Sequence, residues 1–226
     1  MFEMNDYTSK KSAVKELENT ITTVKDQESD LKALTLVNLA YKRFFDDLLS
    51  DHPDMLKGTI IVAAEATGSD LTNDEILRLS IINDEGEKLY DHTFRPTKHS
   101  KWDTAQTSST ITPDKVANCP PMYLEAENIV KIIQRAAVII GYNTGFVLGL
   151  LDNSGIHYAK NSKIVDVMKL HSASYGEWDE SVNGYRQFTL RECADHYGYD
   201  FGDEPHSSLS DCRAALFCYN KLRGID

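Results

Sequence analysis

Three strand-like segments follow one another between residues 59 and 94, and the rest of the chain alternates helix-like with strand-like segments. Thr59–Ala64 and Glu75–Asn83 are rich in the aliphatic residues typical of buried strands, and Leu89–Phe94 is a third candidate. Asp84-Glu85-Gly86 predicts a hairpin turn between the second and third strands. A strand meander followed by helix–strand alternation predicts an α/β domain with a mixed sheet and helices on its faces.

The alternating part begins near Thr112-Pro113-Asp114, which predicts a helix start because proline is favoured in the first helical turn. Two short apolar segments predict further strands, at Ala137–Gly141 and Ile164–Met168. Apolar spacing predicts helices at Tyr123–Gln134, Phe146–Asn153, Phe188–Tyr197 and Ser210–Leu222.

Residues 1–57 differ from the rest, because they lack glycine and contain one proline, Pro53. Apolar residues recur there in steps of three and four, which predicts amphipathic helices, at Val14, Leu17, Ile21 and Val24 and then at Leu34, Val37, Tyr41, Phe44 and Leu48. We therefore predict a helical extension over residues 1–57 and a main domain over residues 58–226. The apolar face of the extension has three open roles: docking onto the main domain, a homodimer or protein-partner interface through residues 11–50, or a flexible arm.

Composition narrows the class of protein. A chain of 226 residues with 41% hydrophobic residues can form one large domain, or one domain with an appendage. No apolar run reaches about 18 residues, so no membrane span is expected, and the first residues lack the order of a signal peptide. The four cysteines form no Cys-x-x-Cys pair, and we expect reduced thiols in a cytoplasmic protein. The net charge of −11 argues against a passive nucleic-acid coat, because neutralising phosphates requires lysine and arginine.

Three groups of small and polar residues with isolated acids border the predicted elements. The first, Ala63-Ala64-Glu65-Ala66-Thr67-Gly68, follows the first strand. The second, Gly141-Tyr142-Asn143-Thr144-Gly145-Phe146-Val147, joins a strand to a helix. The third, His206-Ser207-Ser208-Leu209-Ser210-Asp211, opens the last helix.

In order and internal spacing, these groups resemble the DnaQ-like family of 3′–5′ exonucleases, which has an RNase H-like fold and, in the branch concerned, a site of four acids and a histidine. The resemblance covers roughly residues 58–222, and Trp102, Ile111-Thr112 and Asp166-Val167-Met168 also match family landmarks. It implies hydrolysis of phosphodiester bonds at the 3′ ends of single-stranded DNA or RNA. It also implies two divalent ions, Mg²⁺ or Mn²⁺, held by carboxylates, and a histidine that takes a proton from the attacking water.

Two of the four acids in the family's pattern are absent from this chain. The pattern opens with Asp-x-Glu at the end of the first strand, where this chain has Ala63 and Glu65. Its second group carries Asp directly after Phe, where this chain has Val147. The resemblance assigns His206 as the would-be base and leaves Glu65 and Asp211 as metal ligands. Alanine and valine offer no lone pair, so we expect weak or absent metal binding and a catalytically dead or strongly impaired domain.

The resemblance also implies substrate contacts beside the acids, at Thr67 and Gly68 through the backbone and at Tyr142 and Asn143. Three functions are open. The chain is a disabled or weak exonuclease, a protein that binds nucleic-acid ends without cutting, or a pseudo-exonuclease that serves as a protein-interaction or regulatory module. Two origins of the missing acids are also open: natural degeneracy and deliberate inactivation.

Overall fold

The computed structural model describes residues 57–103, 109–202 and 207–225. A five-stranded sheet in this part has the order β3-β2-β1-β4-β5, in which β1 pairs antiparallel with β2 and parallel with β4. The strands are β1 (Thr59–Ala66), β2 (Ile76–Asn83), β3 (Lys88–Thr93), β4 (Val138–Gly141) and β5 (Lys163–Asp166). The predicted α/β class with a mixed sheet is confirmed. The predicted helical extension, apart from Lys57, lies outside the described residues.

Helices cover both faces of the sheet. In the described part they are α1 (Pro113–Val116), α2 (Ala126–Ile133), α3 (Thr144–Asn153), α4 (Val167–Tyr175), α5 (Leu190–Tyr197) and α6 (Ser208–Leu222), and a 3-10 turn at Met122–Glu125 precedes α2. None of them is long and apolar enough to cross a membrane.

The side chains of β1 alternate between two apolar cores, as the pleat of a strand requires. Ile60 and Val62 pack with α2 and α3 on one face, while Ile61 packs with α5 and α6 on the other. The face that holds Ile61 continues through Ala63 to Glu65, since residues two apart in a strand share a face. The end of β1 therefore presents Glu65 towards the side of the sheet on which α6 packs.

Polar caps explain two of the predicted boundaries that were wrong. The strand predicted at Ile164–Met168 ends at Asp166, because the Asp166 side chain accepts a hydrogen bond from the Met168 N–H and starts α4. The helix predicted from Phe188 begins only at Leu190, because Thr189 and Glu192 form a capping box. In both cases apolar periodicity continues across a boundary that one capping side chain decides.

Turn chemistry predicted one hairpin correctly and missed another. Gly86 has a φ of 83°, the left-handed conformation that the turn between β2 and β3 needs, so the predicted turn is confirmed. A second hairpin joins two strands of two residues each, β6 (Trp178–Asp179) and β7 (Gly184–Tyr185). Such short strands carry no readable alternation, so sequence periodicity does not reveal them.

Candidate functional site

The carboxylate of Glu65 is buried between three segments that are distant in sequence. Glu65 is 9% exposed. Its Oε2 accepts a hydrogen bond from the Ser109 hydroxyl at 2.8 Å, and its Oε1 accepts one from the Ser208 backbone N–H at 3.2 Å. Ser208 is the first residue of α6, where free N–H groups and the helix dipole favour a negative charge. Glu65 therefore joins the end of β1 to a loop and to the last helix.

A second polar chain leads from Ser208 across β2 to β3. The hydroxyls of Ser80 and Ser208 lie 2.7 Å apart, and the Ser80 hydroxyl donates to Asp91 at 2.9 Å. Since Ser80 has one hydroxyl proton, Ser208 is the donor in the first of these bonds. Arg78 donates two hydrogen bonds to the same Asp91 carboxylate, at 2.8 and 2.9 Å. Burial alone would raise the pKa of Asp91, but the hydrogen bonds from Arg78 and Ser80 outweigh it and lower the pKa overall.

The two positions at which the family's acids are missing lie in apolar surroundings. Ala63 packs against the core beneath α5 and α6, beside Ile61 and Cys212. Val147, in the first turns of α3, is buried in the other core. Neither side chain carries an atom that could bind a cation.

Asp211 is the second acid that the resemblance retains. It lies half-buried in the first turn of α6, whose N-terminus is capped by Ser207 and Ser210. Residues three apart share one face of a helix, so Asp211 lies on the same face as Ser208, whose hydroxyl contacts Ser80. His206, the predicted base, lies outside the described residues, and its role stays a prediction.

Thr67 and Gly68 form a closed polar turn with Asp74. The Thr67 hydroxyl donates to Asp74 at 2.7 Å and accepts from the Glu75 N–H at 3.0 Å, while the Thr67 N–H donates to the Glu75 carbonyl at 2.9 Å. Asp74 also accepts from the Asp70 N–H at 2.8 Å. A Cβ added at Gly68 would lie 2.6 Å from the carboxyl carbon of Asp74. Glycine is therefore required at position 68 because the Asp74 carboxylate lies close to its Cα, and not because the backbone has an unusual φ.

We expect Gly68→Ala to lower the free energy of unfolding by about 1–3 kcal/mol, because the new methyl group overlaps the hydrogen-bonded Asp74 carboxylate. In the Asp74→Ala background the same change should cost little, since the overlapping group is gone. Urea unfolding of the two single variants and the double variant measures this coupling. Gly145→Ala is the control, because a Cβ there meets no atom within 4 Å and alanine favours a helix. Equal costs at Gly68 in both backgrounds would contradict the steric explanation.

The other two predicted substrate contacts are Tyr142 and Asn143. They differ in whether the side chain is already hydrogen-bonded within the protein. The Tyr142 hydroxyl donates to the carbonyl oxygens of Phe188 and Thr189, at 2.8 and 2.9 Å. Burial and the nearby Cys193 raise the pKa of Tyr142, so the phenol stays neutral. Asn143 is exposed and left-handed, with a φ of 55°, and its N–H donates to Asp166 at 3.2 Å. Of this pair, Asn143 has the side chain available to a ligand.

Sequence reasoning did not find the polar groups that surround Glu65. Ser109 lies 44 residues from Glu65, and Ser208 lies 143 residues from it. Ser208 belongs to the His206–Asp211 group, but the spacing of that group does not predict that its backbone N–H binds Glu65. The Arg78–Asp91 pair could have been suspected from opposite charges on the two strands of the predicted hairpin.

The arrangement offers few donors for a metal ion. Both oxygens of Glu65 already accept hydrogen bonds, and Ala63 and Val147 supply no ligand. Across residues 57–103, 109–202 and 207–225, no three His, Cys, Asp or Glu side chains come together in a group that could hold a metal ion. The described atoms form a neutralised hydrogen-bond network rather than an open cluster of carboxylates.

The fold resembles solved structures of exonuclease I. A product-bound exonuclease I matches with a TM-score of 0.57 at 17% identity, over 74% of this chain and 43% of that protein. E. coli exonuclease I in complex with a dA16 oligonucleotide matches with a TM-score of 0.59 at 15% identity, over 74% of this chain and 42% of that protein. The E. coli enzyme in complex with a dT13 oligonucleotide gives 0.59 at 16% identity, over 74% and 41%. The chain thus spans less than half the length of these proteins, and such low identity establishes the fold alone.

Sequence comparison gives the family. No curated protein matches this chain in sequence. A family model described as exonuclease, of the RNase T type, matches residues 60–219, which is most of the chain and includes every strand of the five-stranded sheet except the first residue of β1. The chain therefore belongs to the RNase T-type exonuclease family.

Proposed function

We propose that this chain is a DnaQ-like exonuclease domain that descends from enzymes acting on nucleic-acid 3′ ends and that has lost, or nearly lost, two-metal hydrolysis. The observation that carries the proposal is the state of Glu65. Each oxygen of its carboxylate accepts a hydrogen bond from the protein itself, one from the Ser109 hydroxyl and one from the Ser208 N–H at the start of α6. The apolar Ala63 and Val147 occupy the two other positions at which the family's pattern has carboxylates.

The divalent ions that the family implies do not fit the residues present. Two ions need several oxygen ligands that converge from separate elements. Here Glu65 would first have to exchange its hydrogen bonds, and Asp211 is the one other acid of the pattern that remains. We therefore derive no catalytic step for this chain as it is.

Single-stranded nucleic acid remains the best candidate ligand for the candidate site. Exonuclease I, whose fold the chain shares, has been solved with dA16 and dT13 oligonucleotides. In this chain the exposed Asn143 lies directly before the first turn of α3. The net charge of −11 opposes phosphate binding, so we expect weak affinity that falls further as salt is raised.

The test is a degradation assay on end-labelled single-stranded DNA and RNA with Mg²⁺ or Mn²⁺. We expect no metal-dependent cutting by this chain. The Ala63→Asp, Val147→Asp double variant should gain cutting that EDTA abolishes, because it restores both missing carboxylates. One gel shows both results, the absence of cutting by the unaltered chain and the metal-dependent product of the double variant.

The control is the Ala64→Asp, Leu148→Asp double variant, which adds the same charges one residue along each element. Adjacent strand residues point to opposite faces, and adjacent helix residues point in directions about 100° apart, so these acids cannot complete the site. Circular dichroism first establishes a temperature at which both variants are folded. EDTA-sensitive cutting by the unaltered chain would overturn the proposal, and absence of cutting by every variant would favour the second candidate.

A second candidate is a protein-interaction or regulatory module, and the ribbon of β6 and β7 favours it. Trp178 and Tyr185 face each other across this ribbon with ring centroids 5.7 Å apart, yet they are 56% and 46% exposed. Glu180 and Glu177, the latter paired with Arg186 at 3.1 Å, lie beside them, so the ribbon offers no excess of positive charge for phosphate and suits a protein surface. Fluorescence polarisation with labelled dT13 separates the candidates, since only the first expects binding, and Trp178→Ala should leave that binding unchanged.

A further inference from the structure

A basic segment, residues 92–102, follows β3 at one edge of the sheet. It contains Arg95, Lys98 and Lys101 and no aspartate or glutamate, in a protein whose net charge is −11. All three side chains are exposed. In the described part of the chain, none of them forms an ion pair with a carboxylate. Their positive charge is therefore available to a ligand.

The side chain of Glu75 holds the basic segment in place. Its Oε1 accepts hydrogen bonds from the N–H and the hydroxyl of Thr97, at 2.7 and 2.8 Å. Its Oε2 accepts from the N–H groups of Lys98 and His99, at 2.8 and 3.1 Å, and from the His99 ring at 3.0 Å. Five hydrogen bonds to one half-buried carboxylate fix the backbone here, so a ligand does not have to order it.

Both ends of the basic segment are tied to the candidate site. At one end, the N–H of Glu75 donates to the Thr67 hydroxyl at 3.0 Å, and Thr67 is a predicted substrate contact. At the other end, the Trp102 indole N–H donates to the Ile111 carbonyl at 2.8 Å. The Ile111 N–H donates in turn to the Ser109 hydroxyl, at 3.1 Å, and this hydroxyl binds the buried acid at the end of β1. The basic segment therefore borders the candidate site.

Two depressions adjoin the basic segment. A groove of about 430 Å³ lies between it and the start of α1, and a smaller one of about 130 Å³ lies towards the 3-10 turn before α2. Arg95 and Lys98 line both. Asp114 is the one acid that lines the larger groove, and Asp74 and Glu75, which line the smaller, already accept hydrogen bonds. The two cations can thus reach a ligand in either depression.

We propose that Arg95, Lys98 and Lys101 bind phosphates of a single-stranded nucleic acid whose end occupies the candidate site. The inference rests on the proposed function and names the surface that counteracts the negative charge of the whole protein. At about 0.1 M salt, charges more than roughly 10 Å apart are largely screened, so three neighbouring cations matter more to a phosphate than distant acids do. Phosphate contacts carry no direct sequence information, so single-stranded DNA of any sequence should bind through them.

Fluorescence polarisation with labelled dT13, between about 50 and 200 mM salt, tests the proposal. The triple variant of the basic segment, Arg95→Ser, Lys98→Ser and Lys101→Ser, should bind dT13 at least about ten-fold more weakly at the lowest salt. The slope of log Kd against log salt concentration should also fall by about 2, because each phosphate contact to a single strand contributes about 0.7.

The matched control makes the same change in net charge at the other edge of the sheet, on and beside β5. It consists of Lys160→Ser, Lys163→Ser and Lys169→Ser, three exposed lysines. This variant should keep the affinity and the salt slope of the unaltered chain. Equal weakening by the two triple variants would overturn the proposal, because net charge alone would then explain the effect.

Lysine acetylation of the unaltered chain, read by mass spectrometry, gives a result that does not depend on any variant folding. Bound dT13 should slow the acetylation of Lys98 and Lys101 at least about three-fold and leave that of Lys163 unchanged. Failure of dT13 to bind, or to protect Lys98 and Lys101, would overturn the proposal. EDTA-sensitive cutting by the unaltered chain would instead overturn the proposed loss of hydrolysis, and would leave the phosphate contacts standing.

Discussion

Replacing Glu65 by alanine is expected to lower the free energy of unfolding by about 2–4 kcal/mol, because the change leaves the Ser109 hydroxyl and the Ser208 N–H without their acceptor in a buried site. In a cluster of carboxylates that awaits metal ions, removing one acid relieves repulsion and commonly stabilises the protein. The sign of the change in the free energy of unfolding therefore distinguishes a glutamate that stabilises the fold from one that serves as a metal ligand. Urea unfolding followed by circular dichroism measures it.

Two variants make the Glu65 experiment specific. Glu65→Gln keeps one acceptor oxygen and should lose about half as much stability as Glu65→Ala. Glu85→Ala, in the exposed turn between β2 and β3, should change stability by less than about 0.5 kcal/mol. A neutral or stabilising Glu65→Ala would show that this carboxylate is not structural, and would return it to the role of a metal ligand.

Asp91→Asn is expected to lower the free energy of unfolding by about 2–4 kcal/mol at neutral pH. The amide loses the ion pair with Arg78, and its NH2 group must face either the second Arg78 donor or the Ser80 hydroxyl, both of which donate to the native carboxylate. This substitution should be felt at the candidate site as well, because Ser80 also accepts the hydroxyl hydrogen of Ser208. Asp84→Asn, at the exposed turn, is the matched control.

The same variant gives a pH signature with a defined sign. The folded pKa of Asp91 is lower than its unfolded value, which is about 3.9. The carboxylate's contribution is therefore complete above about pH 5 and is lost as the pH falls through the lowered folded value. Thermal unfolding between pH 2.5 and 6 should show the parent chain and the variant converging towards the acid end. A constant difference across that range would contradict the assignment.

The sheet and most helices could be predicted, because their apolar patterns are local. β1 and β2 each carry a run of aliphatic residues, and the turn between β2 and β3 has its glycine where the left-handed residue is needed. Boundaries set by one capping side chain, at Asp166 and Thr189, were misplaced. Periodicity reports burial, and a cap is a single hydrogen bond that leaves periodicity unchanged.

The candidate site could be located from sequence but not understood from it. Glu65 and Asp211 were found because the resemblance fixes their positions along the chain. What Glu65 does depends on Ser109, in a loop with no regular pattern, and on a backbone N–H of α6, which no side-chain motif records. The roles assigned to His206, Thr67, Gly68, Tyr142 and Asn143 stay predictions.

Helix α6 packs on the centre of the sheet, but the ribosome synthesises it long after β1. Helix α6 contacts β1 and β2 across separations of 128, 143 and 151 residues, through Ser80, Glu65 and Ile61. At about 5–20 residues per second, a ribosome needs roughly 7–30 s to travel from Glu65 to Ser208. During that interval one side of the nascent sheet has no helix over it, and the buried glutamate has no helix N-terminus to neutralise it. The core on that side of the sheet therefore cannot close until α6 has been synthesised, and a chain that stops before α6 exposes an aggregation-prone surface.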